Sequence, residues 1–163
     1  MILIAYDGSA DAQAAIERAG DFLSGQRATV LTVWEPFVDV LTRSGAGMVI
    51  GDVDYESVDR SSEEQARQRA DEGAQLAQRA GLDAQPRVHG RTASVADCIL
   101  EEAAEIGADA IVMGTRGLTG VKSFLLGSVS HAVLQHSERP VIVVPSPEVA
   151  AARAARRHRE PRG

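Results

Sequence analysis

Four short runs of apolar, largely β-branched residues set the frame of this sequence: Ile2–Tyr6, Thr29–Trp34, Ala110–Met113 and Val141–Val144. Each is too short for a buried helix and is apolar at both alternating positions. That is the pattern of strands covered on both faces, as in a parallel sheet. Segments of helical period separate the runs. Ser9 is placed to cap a helix through Ala14, Ala15, Ile16, Ala19 and Phe22 that stops at Gly25. Ser94 with Asp97 three residues on predicts a capping box, followed by Val95, Ile99, Ala103 and Ile106 on one face and Gly107 at the end. A further helix is expected over about Ser57 to Ala80, closed by Gly81, and Ala84–His89 reads as a strand that Pro86 confines to a sheet edge. The alternation predicts an α/β fold with right-handed crossovers and an open, mostly parallel sheet of five strands with helices on both faces. Such sheets bind ligands beyond the carboxyl ends of their strands, which directs attention to Asp7, the end of the Trp34 strand, Gly90 and the segment after Met113.

The 163 residues suffice for one domain, expected over residues 1–147. Glu35 to about Glu56 has no clean period, includes Gly45-Ala46-Gly47, and reads as a mobile insertion or lid. The segment 148–163 reads as a basic tail, either a frayed helix or disordered. It carries five arginines against Glu148 and Glu160, net +3, so the total of −6 places −9 on residues 1–147. A body of that charge repels nucleic acid and anionic membranes and excludes a general nucleic-acid binder. No apolar run approaches the length of a membrane span, the first residues lack the features of a signal peptide, and a single cysteine, Cys98, points to a reducing interior. The expected location is cytoplasmic. Cys98, among apolar helix neighbours, reads as a buried small hydrophobe, and no His and carboxylate spacing suggests a metal centre.

Within this acidic chain, Ala110 to Ser137 contains no Asp or Glu, yet carries Arg116, His131, His136 and the only lysine, Lys122. Four of the 15 glycines fall in the same window: Gly114, Gly117, Gly120 and Gly127. A buried strand feeds into it and a helix beginning near Ser128 leaves it. Glycines let backbone N–H groups approach an anion closely, and the helix adds its positive N-terminal end, so the window has the makings of a phosphate cradle. It is not a Walker loop, because Val121 separates Gly120 from Lys122 and the upstream glycine is absent. Nor is it a dinucleotide fingerprint, because the first turn reads Asp7-Gly8-Ser9-Ala10-Asp11.

The spacing that is present, Gly114, two residues, Gly117, nine residues, Gly127-Ser128, with Ser137-Glu-Arg-Pro-Val-Ile-Val-Val144 closing the segment, resembles the nucleotide-binding branch of the universal stress protein family over about residues 1–146. That resemblance implies a Rossmann-like fold of the adenine nucleotide alpha hydrolase type, binding ATP, with Mg2+ carried on its phosphates. It implies a homodimer formed through the last strand, Val141 to Val144. It places Asp7 near the ribose and phosphates, within reach of a phosphate-bound metal. Val33 is then an adenine contact, with Ala5 and Met113 helping to wall the base. Gly114 and Gly117 form the turn beside the ribose and phosphates, and Gly127, Ser128 and Val129 supply backbone donors. Ser128 and Ser130 can add hydroxyl donors, and Arg116 and Lys122 charge.

Other readings of the same residues stay open. Asp7 alone also reads as a cap for the first helix, Val33 and Met113 as core, the glycines as a ligand-free turn, and Ser128 as a simple N-cap. The uncovered apolar run Val141–Val144 independently suggests an edge that seeks a partner. Three functions follow: an ATP-dependent stress-response protein, a dimeric interaction module with a vestigial site, or an ATP-using enzyme. The enzyme reading is opposed by the absence of a Ser-Gly-Gly-x-Asp-Ser first turn and of an evident nucleophile and base.

Overall fold

The computed structural model describes residues 1–44, 54–117 and 126–157. Its elements are β1 (Ile2–Ala5), α1 (Ala10–Leu23), β2 (Arg27–Trp34), α2 (Phe37–Ser44), α3 (Tyr55–Arg79), β3 (Asp83–Gly90), α4 (Val95–Glu105), β4 (Ala110–Gly114), α5 (Ser128–His136), β5 (Val141–Val144) and α6 (Pro147–Arg157). The strands form one sheet in the order β3-β2-β1-β4-β5, and all four pairings are parallel. This is the open five-stranded α/β sheet that the apolar runs predict.

Strand alternation divides the core into two layers. Ile2, Ile4 and Tyr6 of the β1 segment, Val30 and Val112 pack with Ala15, Ile16 and Ala19 of α1 and Ala74 and Ala77 of α3. Leu3, Leu31, Ile111 and Met113 face the other way, against Ala96, Ile99 and Ala103 of α4 and Val133 of α5. Alanine at the buried positions of α3 lets that helix lie close to the sheet, and a β-carbon on Gly73 would come within 2.7 Å of the Tyr6 ring. Phe22, expected on the apolar stripe of α1, is instead 55% exposed, because the buried face of α1 runs through Ala15, Ala19 and Leu23 and leaves residue 22 to one side.

The punctuation signals act as read. Ser9 accepts from the Ala12 amide at 3.2 Å, and Gly25, Gly81 and Gly107 take positive φ just beyond α1, α3 and α4. Pro86 sits on β3, an edge strand. The stretch read as an insertion without period contains a helix, α2, and α3 begins within it at Tyr55. What fixes α2 is not local. The Phe37 amide donates to Asp59 of α3 at 2.6 Å and the Phe37 and Tyr55 rings lie 6.0 Å apart, contacts that a periodicity count does not contain. Gly45 to Val53, and with them the Gly-Ala-Gly run, lie outside the described residues. β5 is followed by a helix, the first of the two readings of the tail: Pro147 opens α6 behind Ser146, a favoured N-terminal arrangement. Residues 158–163 of the tail are outside the described residues.

The α4 cap yields a pH prediction. Ser94 Oγ accepts from the Asp97 amide at 3.0 Å, while Asp97 Oδ2 accepts from the Ser94 hydroxyl at 2.7 Å and amide at 3.1 Å. These bonds, the hydroxyl first and the amide second, hold the Asp97 carboxyl below the usual carboxylate range. A lowered folded-state value means that the stabilisation is complete above about pH 4 and is lost as pH falls through the lowered value. In urea melts, Asp97→Asn is expected to be less stable than the parent at pH 6, and the two are expected to converge as pH falls through the lowered value.

Candidate functional site

At the carboxyl end of β1, Gly8 adopts φ +83° and turns the chain from the strand into Ser9 and α1. Asp7 Oδ1 accepts from the Ser9 amide at 3.0 Å, so this carboxylate organises the turn while still facing outward at the strand end. Next to it, β4 ends at Gly114, pressed against the first turn of α1. A β-carbon there would stand 2.7 Å from the Asp11 carbonyl carbon and 2.9 Å from the Ala12 nitrogen. Gly117 approaches Asp7 in the same manner, its β-carbon position being 2.5 Å from Asp7 Oδ2.

A set of buried polar contacts locks these segments. The Thr115 hydroxyl donates to Asp11, which is buried. The Ser130 hydroxyl lies 3.0 Å from both the Gly114 and Thr115 carbonyls, and the Gly127 amide donates to Thr115 O at 2.7 Å. Arg116 Nε is 3.7 Å from Asp11 Oδ2, and the Arg116 carbonyl accepts from Ser9 Oγ at 3.4 Å. The start of α5 is thereby fixed against the end of β4 and the start of α1.

The helix so positioned has Gly127 as its N-cap, with no side-chain cap. Among the described residues nothing accepts from the amides of Ser128, Val129 and Ser130. They open on a cavity of about 950 Å³ at the carboxyl ends of β1, β2 and β4. The other end of the cavity is apolar, walled by Leu31 and Val33 of β2, Ala5, Met113, and Val95 and Ile99 of α4.

All eleven residues singled out in the sequence line this one cavity: Ala5, Asp7, Val33, Met113, Gly114, Arg116, Gly117, Gly127, Ser128, Val129 and Ser130. Their internal bonding differs from the sequence picture in three details. The amide of Gly127 and the hydroxyl of Ser130 are engaged by main-chain carbonyls, and Gly127 rather than Ser128 is the N-cap. Arg116 already faces Asp11. Lys122 lies outside the described residues. Sequence reasoning missed eight residues of the lining, among them Leu31, Glu35, Val95, Ile99 and His131. Leu31 and Glu35 share the face of Val33 by strand period, a usable signal; that α4 would cross this strand end was visible only in three dimensions. Among the described residues, no cluster of His, Cys, Asp and Glu is arranged to hold a metal, and no helix is long and apolar enough to cross a membrane.

The family model for the universal stress protein family matches residues 1–145. The chain belongs to that family. A putative universal stress protein of Staphylococcus haemolyticus is 34% identical over 154 residues, covering 91% of this chain and 86% of the relative. One from Thermus aquaticus is 36% identical over 151 residues, covering 88% and 96%. In three dimensions the chain is similar to the universal stress protein of Archaeoglobus fulgidus solved in complex with dAMP, with a TM-score of 0.60 and 21% identity over 88% of this chain and 95% of that one. The chain therefore has the Rossmann-like fold of the universal stress proteins.

Gly114 and Gly127 differ in what the fold itself demands of them. The Gly127 β-carbon position meets only ordinary contacts, at 3.4 Å and beyond. Gly114→Ala is expected to destabilise by about 1–3 kcal/mol through overpacking against α1. Gly127→Ser, which supplies the missing cap, is expected to stabilise by a few tenths of a kcal/mol. Urea denaturation of the two variants checks both signs.

Proposed function

We propose that this universal stress protein binds ATP, with Mg2+ carried on the phosphates, and that occupancy of the site regulates its interactions in a stress response. The observation that carries the reading is the uncapped N-terminus of α5 opening on a cavity whose far end is apolar. Three backbone amides and the helix dipole favour an anion at one end, and aliphatic walls favour a flat apolar ring at the other. A nucleotide has that polarity. The dAMP complex of the Archaeoglobus fulgidus relative supports the class of ligand. In this reading Ser128, Val129 and Ser130 give amides to the phosphates, Gly117 and Gly127 permit their close approach, and Val33, Ala5 and Met113 wall the base. Among the described residues Asp7 is the one carboxylate beside both the Gly117 turn and the cavity, so it would face the ribose or a phosphate-bound Mg2+. We read the protein as a cytoplasmic binder rather than a catalyst, acting as a homodimer through β5, whose Val141, Ile142 and Val143 are only half-buried in the single chain.

A second reading, an interaction module with a vestigial site, is favoured by one observation. The packing of Gly114 on α1 and of Gly117 on Asp7 accounts for both glycines without any ligand. Gly127→Asp separates the two. The new carboxylate would cap α5 and oppose a phosphate, so the free protein is expected to be as stable as the parent or slightly more so. Its ATP affinity is expected to fall at least about tenfold. For the parent, ATP with magnesium at a hundred times its dissociation constant is expected to add about 2.7 kcal/mol of stability, visible as a rise in Tm. No such rise, with no adenine nucleotide released from the purified protein on denaturation, would leave the vestigial reading. Sedimentation as a monomer alone at micromolar concentration would overturn the dimer.

A further inference from the structure

His131 lines the cavity and has no part in the nucleotide reading as stated. It is the fourth residue of α5, and its amide donates to the Gly127 carbonyl at 3.0 Å, so what it turns to the cavity is its imidazole. A helical side chain leans toward the N-terminus of its helix, over the turn that precedes it. His131 and Ser128, three residues apart, share one face, which sets the ring beside the free amides of the first turn. Among the described residues no hydrogen bond or ion pair engages that ring, whereas Arg116 is opposed by Asp11 at 3.7 Å.

The first turn of α5 has two sides. Ser130 is buried and Val129 half-buried against the core, whereas Ser128 and His131 are exposed. The apolar walls that suit a base, Leu31, Val33, Val95 and Ile99, belong to the core side of the cavity. A nucleotide whose base lies against them runs its phosphates outward across the amides, the ribose-linked phosphate first. Its last phosphate then reaches the exposed side of the helix, where His131 stands. A neutral imidazole offers one N–H donor and a protonated one offers two, so the ring can donate to a phosphate oxygen in either state. A donor placed at the end of the chain meets the phosphate that a shorter nucleotide lacks, and so separates nucleotides by chain length.

We infer that His131 is the terminal-phosphate contact of this site and sets its preference for a nucleoside triphosphate over the di- and monophosphate. The inference rests on the nucleotide reading above and goes beyond it, since amides around one helix end recognise phosphate without counting it. Isothermal titration of the full chain with ATP, ADP and AMP, each in excess magnesium and at one pH, tests it. The parent is expected to bind ATP at least about tenfold more tightly than ADP, the effect of one charge-assisted hydrogen bond. In His131→Ala the preference for ATP over ADP is expected to shrink to within about threefold, while AMP affinity stays within about twofold of the parent. In His131→Glu, whose carboxylate is favoured in the first turn of a helix and opposes a terminal phosphate, the preference is expected to vanish or invert with Tm unchanged or slightly raised. A role confined to packing would lower Tm and weaken all three ligands alike, leaving their ratios where they were. Equal affinity of the parent for ATP and ADP, or an unchanged ratio in either folded variant, overturns the inference alone. Should His131→Ala fail to fold, His131→Glu and the order of the three ligands on the parent decide. Failure of the parent to bind any of them overturns the nucleotide site and this inference together.

Discussion

The site depends on one close approach of backbone to backbone, that of Gly114 at the end of β4 to Asp11 and Ala12 in the first turn of α1. Any side chain at 114 would hold the two apart. Because they touch, Thr115 reaches the buried Asp11, Arg116 lies over the same carboxylate, and Ser130 and Gly127 can close on the carbonyls of residues 114 and 115. The hydrogen bonds of Thr115, Ser130 and Gly127 each satisfy a group that would otherwise be costly to bury. Together they aim α5, a nine-residue helix, so that its free amides face the gap beyond β1.

That gap is where the sheet order reverses, β2 lying on one side of β1 and β4 on the other, and crossover connections leave it open to a ligand. Its back wall comes from α4, and α4 is tied to the sheet by charge as well as by packing. Glu102, 1% exposed, faces Arg87 Nε of β3 at 2.7 Å and His89 Nδ1 at 3.3 Å, while Arg87 also reaches Glu105 at 2.7 Å. A carboxylate buried to that degree is tolerable only when paired, and removing a partner costs far more than an exposed ion pair contributes. The network fixes the register of α4 on β3 and so the position of Val95 and Ile99 across the cavity from Val33. The polar anchor and the apolar wall are on the same helix, one turn apart, which makes the shape of the slot a property of β3 as much as of β2.

Most of the sheet was legible because its signals are local and mutually consistent: two-faced apolar runs for β1, β4 and β5, Ser9 and Ser94 as caps, and glycines after three helices. The central site was legible for a related reason. Its residues fall at strand ends and in one glycine-rich window, and alternation with parallel crossovers brings strand ends together. What escaped detection was decided by distant partners. α2 is held by Asp59 and Tyr55, and Phe22 is left outside because α1 turns Ala19 and Leu23, and not residue 22, toward the sheet. Val95 and Ile99 carry an ordinary core pattern, and nothing in that pattern tells a helix face that covers strands from one that overhangs their ends.

The charge pattern was the feature most altered by folding. Ala110 to Ser137 is free of acids in sequence, yet the fold brings Asp7, Asp11 and Glu35 to that window from β1, α1 and β2. Arg116 is consequently opposed by Asp11 before any ligand arrives, and its charge is partly spent on holding the loop. Among the described residues, net attraction for a polyanion must then come from groups with no counter-charge, which are the amides of α5 and the partial positive charge of its N-terminus. Those act within the first turn and are screened little when solvent is displaced. Recognition of this kind is short in range and directional, so it suits a protein whose remaining surface, at −9 over residues 1–147, repels anions at a distance. The acids at the rim do not defeat the cradle. In the proposed reading they would confine phosphate to the end of the cavity where the α5 amides lie and leave the other end for a base.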